Sequence, residues 1–222
     1  AARAGSNAVT GPLLGVRGVD INGIEIDPIR ETYQLCFRCH ADSPGKPPAP
    51  TPRQIEQTNT RLEFRLTNPS FHPLAGPGRN PDVPSLISPL SPVSTIGCTD
   101  CHNSNAAPSA GGAGPEGPHG SAFEPILVRQ YLTLDNTPES PSSYALCYSC
   151  HDRNSILADQ SFSLHNKHIV EERTPCNVCH DPHGISSTQG NSINSTHLIN
   201  FDISVVSPAM GNMGGLQFTD NG

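Results

Sequence analysis

Four times along this chain, a cysteine pair separated by two residues is followed at once by a histidine: CFRCH at 36–40, CTDCH at 98–102, CYSCH at 147–151 and CNVCH at 176–180. All eight cysteines fall in these pairs, as Cys36/Cys39, Cys98/Cys101, Cys147/Cys150 and Cys176/Cys179. An even cysteine count alone would suggest an exported disulfide framework. Isolated Cys-x-x-Cys pairs would suggest zinc half-sites or redox dithiols. The histidine decides against both. Histidine makes up 10 of 222 residues, too few to follow all four pairs by chance. Zinc ribbons also bring two pairs together over about 15–20 residues. The stretches from Cys39 to Cys98, Cys101 to Cys147 and Cys150 to Cys176 show no such pairing. The pattern is the attachment signature of c-type haem. Two thiols add across the two vinyl groups of one haem, and the next residue swings an imidazole beneath the iron. The sequence therefore predicts four covalently bound haem c groups, with His40, His102, His151 and His180 as proximal iron ligands.

The composition asks for such a cofactor. Hydrophobic residues are 34% of the chain, aromatics 5%, Trp is absent, and there are 20 Gly and 23 Pro. Side chains this sparse build a loop-rich chain with a thin core. Four flat, largely apolar porphyrins would supply the missing interior, so fold and cofactor should be inseparable. The expected fold is a mostly irregular, haem-organised tetrahaem cytochrome c, a single domain over 1–222 with a few short helices and small β-hairpins. The formal charge of −7 and the absence of any Lys/Arg cluster argue against a nucleic-acid partner. No apolar run approaches the roughly 18 residues a membrane-spanning helix needs. The opening Ala1-Ala2-Arg3 fits a mature end left after removal of an export signal.

Six histidines remain as distal ligands: His72, His119, His165, His168, His183 and His197. The other strong-field option, Met, occurs only at Met210 and Met213. Two methionines cannot serve four irons and six histidines can, so the expectation is bis-histidine ligation throughout. Six-coordinate iron offers no open position to a substrate. The chain therefore reads as an electron carrier with no catalytic residues, not an enzyme.

An internal repeat sharpens the assignment. Tyr33, Leu35, Cys36, Phe37, Cys39 and His40 recur as Tyr144, Leu146, Cys147, Tyr148, Cys150 and His151. Ser70-Phe71-His72 has an echo in Ser161-Phe162 followed by His165 and His168. The second motif of each set is followed by Pro-His-Gly, at Pro118-His119-Gly120 and Pro182-His183-Gly184. This gives two dihaem modules, 33–120 and 144–184, flanked by an N-terminal arm, 1–32, and a C-terminal arm, 185–222. His72 and His119 are the distal candidates of the first module. His183 and one of His165 or His168, with His168 preferred, are those of the second. His183 lies three residues beyond His180, a span of at most about 10 Å. That is too short to cap the same iron, so His183 must reach a different haem, and by the repeat so should His119. His197 follows a polar Ser/Thr/Asn stretch and reads by default as a loop histidine.

Each motif is expected on a short helical turn. Segment 144–151 is the best helix start, with Ser142 or Ser143 as its cap. Residues 18–26 alternate around Asn22-Gly23 and predict a hairpin, and 198–206 alternate as a strand candidate. The Pro-rich insertions at 43–52 and 69–92 read as extended surface loops. Neither arm shows a partner within the motif-bearing region.

The phrases YALCYSCHD (144–152), HNKHIVEERTPCNVCHDPHG (165–184) and HLINFD (197–202) resemble the multihaem outer-surface c-type cytochromes of metal-reducing bacteria, in particular their tetrahaem, filament-forming members. The resemblance implies secretion to the extracellular or cell-surface side. It also implies polymerisation with other copies of the chain, supply by upstream periplasmic or outer-membrane cytochromes, and delivery of electrons to external acceptors. In such filaments a subunit can lend a histidine to its neighbour's iron. The alternative is a soluble periplasmic tetrahaem shuttle.

Overall fold

The computed structural model describes residues 7–209 and 215–218; Met210 and Met213 lie outside them. Regular structure is sparse: five short helices, three 3₁₀ turns, one π-helical turn and two two-stranded sheets among the described residues. No described helix is long and apolar enough to cross a membrane. The described residues divide into two compact units, one formed by 7–80 with those from 177 onward, the other by 81–176. This partition differs from the sequence modules. It groups the first motif with Cys179 and His180 of the fourth, and the second motif with the third.

In the unit formed by 7–80 and 177–222, the expected hairpin is present. Strand β1 (Gly18–Val19) pairs antiparallel with β2 (Glu25–Ile26), with Gly18 opposite Ile26. The Asp20 carboxylate closes the loop by accepting the backbone N–H groups of Asn22 and Ile24 at 2.9 and 2.8 Å. Helix α1 (Tyr33–His40) carries the first motif. Gln34, on its first turn, holds the chain that leads into it, its side-chain oxygen accepting the N–H groups of Arg30 and Glu31. The hairpin lies directly on α1. A Cβ at Gly18 would stand 2.6 Å from the Gln34 carbonyl oxygen, so only glycine permits the approach. The N-terminal arm, for which the sequence offered no partner, is thus seated on the first motif.

Tyr33 and Phe37, one turn apart on α1, are buried and meet edge to face at 5.3 Å. Phe64, just after α2 (Thr60–Glu63), continues the aromatic row at 6.4 Å from Phe37. Strands β3 (Ser70–Phe71) and β4 (Gly184–Ile185) then pair antiparallel, Phe71 opposite Gly184.

The C-terminal arm also has a partner. Asn200 and Asp202 donate backbone N–H groups to the carbonyls of Cys179 and Val178 at 2.9 and 2.8 Å, and Asp181 donates to Leu198 at 2.8 Å. No strand forms over 198–206, contrary to the alternation. Leu198 takes a positive φ of 63°, and the Asp202 carboxylate captures the N–H and hydroxyl of Ser204, which turns the chain. The end of the first Pro-rich insertion joins this lacework. Gln54 donates to Phe201 and Ile203 to Pro52, at 2.9 and 3.0 Å.

The unit formed by 81–176 holds α3 (Cys98–Cys101) and α4 (Arg153–Leu157), with only isolated bridges among its described residues. The expected helix over 144–151 is a 3₁₀ turn at Cys147–Ser149, flanked by single α-type bonds from Tyr148 to Tyr144 and from His151 to Cys147. Ser142 and Ser143 do not cap a helix there. They bond instead to Ser140. Tyr144 is fully buried and meets Tyr148 edge to face at 6.2 Å, the same arrangement as Tyr33 and Phe37. Asn103 organises the loop that follows α3, its amide reaching Ser109 and Glu116 and its carbonyl accepting from Ser104 and Gly117. The core of the chain is thin, and large apolar groups such as Leu134 and Val93 stand 79% and 73% exposed.

Candidate cofactor-attachment site

All four Cys-x-x-Cys-His motifs begin on a helical turn: within α1, on α3, on the Cys147–Ser149 turn and on α5 (Cys176–Cys179). A turn of this kind places two thiols on one side of the backbone and hands the following histidine off its end. At α3 the turn is fixed by Asp100, whose carboxylate accepts the Gly97 N–H at 2.7 Å.

None of the eight cysteines is in a disulfide. Burial pushes the Cys101 thiol up to about 12. Cys147 is raised well above the ordinary thiol value by a hydrogen bond with Cys176 and by burial, and burial raises Cys150 and Cys179 as well. Among the described residues, which include every cysteine, no three thiol or imidazole groups converge as a metal site. Thioether formation asks for two thiols free of disulfides, and each motif offers them with a histidine directly after.

The histidines carry the clearest signal. The Nδ1 of His102 donates to the Pro125 carbonyl at 3.2 Å, and that of His180 to the His197 carbonyl at 2.9 Å. The Nδ1 of His72 donates to the Pro182 carbonyl. A carbonyl only accepts, so in these three rings Nδ1 holds a proton, which in the neutral imidazole leaves the lone pair on Nε2. That is the tautomer an iron ligand needs, with its orientation set by the second ring nitrogen. His151 Nδ1 meets the Ser85 hydroxyl at 2.9 Å, His183 Nδ1 the Glu63 carboxylate at 3.1 Å and His165 Nδ1 the Ser161 hydroxyl at 3.3 Å. The His197 carbonyl is turned towards His180 by two consecutive left-handed residues, His197 at φ 54° and Leu198 at φ 63°. Non-glycine residues adopt that conformation at a cost, which here is spent on orienting a motif histidine.

The remaining candidates are placed as follows. His72 and His183 stand side by side at the end of the β3–β4 ladder, with the His72 N–H donating to the His183 carbonyl at 3.0 Å. Burial lowers the His72 imidazole below its ordinary value. His119 is exposed, and its N–H bonds back to Gly117 at 2.9 Å. His165 and His168 flank one ring, Phe162. His168 is stacked on it at 6.2 Å with 7° between the planes, and His165 is edge-on at 5.3 Å. His168 sits in the π-helical turn Lys167–Glu171. His197 is exposed, with Phe218 near its ring. His40 ends α1 and is exposed, as is Cys39.

The two Pro-His-Gly elements share a backbone conformation, with Gly120 at φ 147° and Gly184 at φ 150°. Their surroundings differ. Gly120 is open, whereas a Cβ at Gly184 would lie 2.2 Å from the Glu63 carbonyl oxygen.

Three contributors carry no local sequence signal. Glu63 and Arg53 lie far from any motif in sequence, and Ser85 sits in a Pro-rich stretch. The buried Arg53 guanidinium reaches the carbonyls of Asn177, Asn200 and His180 and lies 3.8 Å from Asp181, so it pins the fourth motif to the C-terminal arm.

No protein-family model matches this chain, and no curated protein or solved structure is significantly similar to it.

Proposed function

We propose that this chain is an electron carrier of the c-type cytochrome class, holding four haems through Cys36/Cys39, Cys98/Cys101, Cys147/Cys150 and Cys176/Cys179. The observation that carries this reading is the fourfold Cys-x-x-Cys-His motif, each on a helical turn with its thiols free of disulfides. Support comes from His102 and His180, held with Nδ1 protonated against backbone carbonyls. Bound haem would supply reversible one-electron chemistry. The chain's own residues would attach it, present Nε2 lone pairs on both faces and exclude competing ligands. Each compact unit by itself contains two motif histidines and three others: His40 and His180 with His72, His183 and His197, and His102 and His151 with His119, His165 and His168. Bis-histidine ligation therefore needs no histidine borrowed from the other unit.

The finer reading is a subunit of an extracellular filament, assembled from copies of this chain and passing electrons from periplasmic or outer-membrane cytochromes to external acceptors. It rests on the resemblance of 144–152, 165–184 and 197–202, and on a histidine count that exceeds four bis-ligated irons by two. Negative-stain images of the secreted fraction test it. Filaments support the polymer, and monodisperse particles at high concentration support the periplasmic shuttle. Spectra of the oxidised protein test ligation. Low-spin iron at all four sites with poor carbon monoxide binding on reduction is expected. A high-spin fraction near one quarter would mean one open iron and would favour an enzyme over a carrier.

A further inference from the structure

Glu63, Asp181 and His183 gather their ligand atoms within 4.8 Å of one another. The group has the composition of a divalent-cation site, but its charges are already engaged. The Arg53 guanidinium stands 3.8 Å from Asp181, and the Asn200 amide donates to the same carboxylate at 3.1 Å. A cation placed there would face a buried guanidinium. What remains is a carboxylate aimed at one imidazole.

Glu63 is 7% exposed and its Oε2 lies 3.1 Å from His183 Nδ1. Its position is over-determined. The fully buried Asn68 donates its amide to the carbonyls of Leu62 and Glu63 at 2.7 and 2.8 Å, which fixes the end of α2. The Phe64 ring packs on the His183 ring at 5.2 Å. Gly184 lets the strand bearing His183 approach the Glu63 backbone. The neighbouring His72, at the same end of the ladder, has a backbone carbonyl as its Nδ1 acceptor instead. The two adjacent imidazoles thus differ in the charge of the group that faces Nδ1.

We infer that Glu63 is a positioning and tuning residue for His183, and that it lowers the reduction potential of the one haem whose iron His183 ligates. The inference rests on the bis-histidine reading above. A carboxylate draws the Nδ1 proton more strongly than an amide carbonyl, so the ring gains imidazolate character and donates more charge through Nε2. Stronger donation, together with a buried negative charge nearby, favours the ferric over the ferrous state. A haem served by His72, whose Nδ1 faces the Pro182 carbonyl and not Glu63, would be the internal comparison.

The test compares the haem-loaded wild type with Glu63→Gln and His183→Ala. Glutamine keeps an oxygen acceptor and removes the charge. The expected result for Glu63→Gln is that one of four redox waves moves to higher potential while the other three stay and all four irons remain low-spin. A purely structural role would instead broaden or shift several waves, or free one iron to become high-spin. His183→Ala should produce one high-spin haem. If it leaves all irons low-spin, the ligation reading fails. If it yields a high-spin haem but Glu63→Gln moves no potential, the Glu63 inference alone fails. Near-infrared magnetic circular dichroism of the unmutated protein is a check that needs no variant to fold. One low-spin charge-transfer band should lie to higher energy than the rest, the direction imidazolate character moves it, and four coincident bands would overturn the inference.

Discussion

Arg53 joins three separate backbone carbonyls and a carboxylate in a place largely shielded from water. Its planar, five-donor guanidinium suits that task and a lysine ammonium does not. Arg53→Met should lower unfolding free energy by about 3–5 kcal/mol, because buried acceptors and Asp181 lose their partner. Denaturant titration checks this, with Arg53→Lys expected to recover only part of the loss. In the other unit, Arg153 meets Glu139 through Nε and Nη2, at 2.7 and 2.5 Å, and Tyr148 donates to the same carboxylate. The Arg153 hydrogen bond holds Glu139 below the ordinary carboxylate range. A folded-state value below the unfolded one stabilises at neutral pH and ceases to do so as pH falls through the lowered value. Glu139→Gln should therefore cost about 1–2 kcal/mol near neutrality, at the low end because Arg153 is one-third exposed. The gap to wild type should close in acid, and a gap independent of pH would contradict the ion pair.

At the scale of elements, the repeat seen in sequence is a repeat of geometry. Tyr33 with Phe37 and Tyr144 with Tyr148 form the same edge-on pair across the start of the first and third motifs, and the two Pro-His-Gly glycines share a φ near 150°. The contrast between the glycines gives a paired prediction. Gly120→Ala should cost about 1–3 kcal/mol from backbone strain alone. Gly184→Ala should cost about 1–3 kcal/mol more, because its methyl meets the Glu63 carbonyl and Phe71. Equal losses by thermal melts of the two variants would mean that Gly184 is not a packing position. These elements also mark how far the sequence could be read. The motif turns and the 18–26 hairpin are local, fixed by residues within a few positions, and were legible. The pairing of Ser70 with Ile185 was not, because two-residue strands carry no periodicity and their partners lie over a hundred residues apart. The same distance hid Arg53 and Glu63. The 198–206 alternation misled because Leu198 and Asp202 interrupt it with a left-handed residue and a turn.

For the whole molecule, the distribution of histidine over the two units is the consequential feature. Each has two motif imidazoles and three others, so single His→Ala variants at His72, His119, His165, His168, His183 and His197 should divide into four that each create one high-spin haem and two that do not. Magnetic spectroscopy of each loaded variant counts them. A variant that creates a high-spin haem only in assembled polymer identifies a ligand crossing between subunits. At 34% hydrophobic content the side-chain core is thin, and covalently bound cofactor would add to it. The most direct measurement is therefore the intact mass of the denatured protein purified from its native source or from a host that matures c-type cytochromes. The account predicts the mass of the 23.5 kDa polypeptide plus four haems, retained under denaturation because the thioethers are covalent. A mass equal to the polypeptide alone, to the polypeptide with disulfides or to the polypeptide with zinc would contradict it.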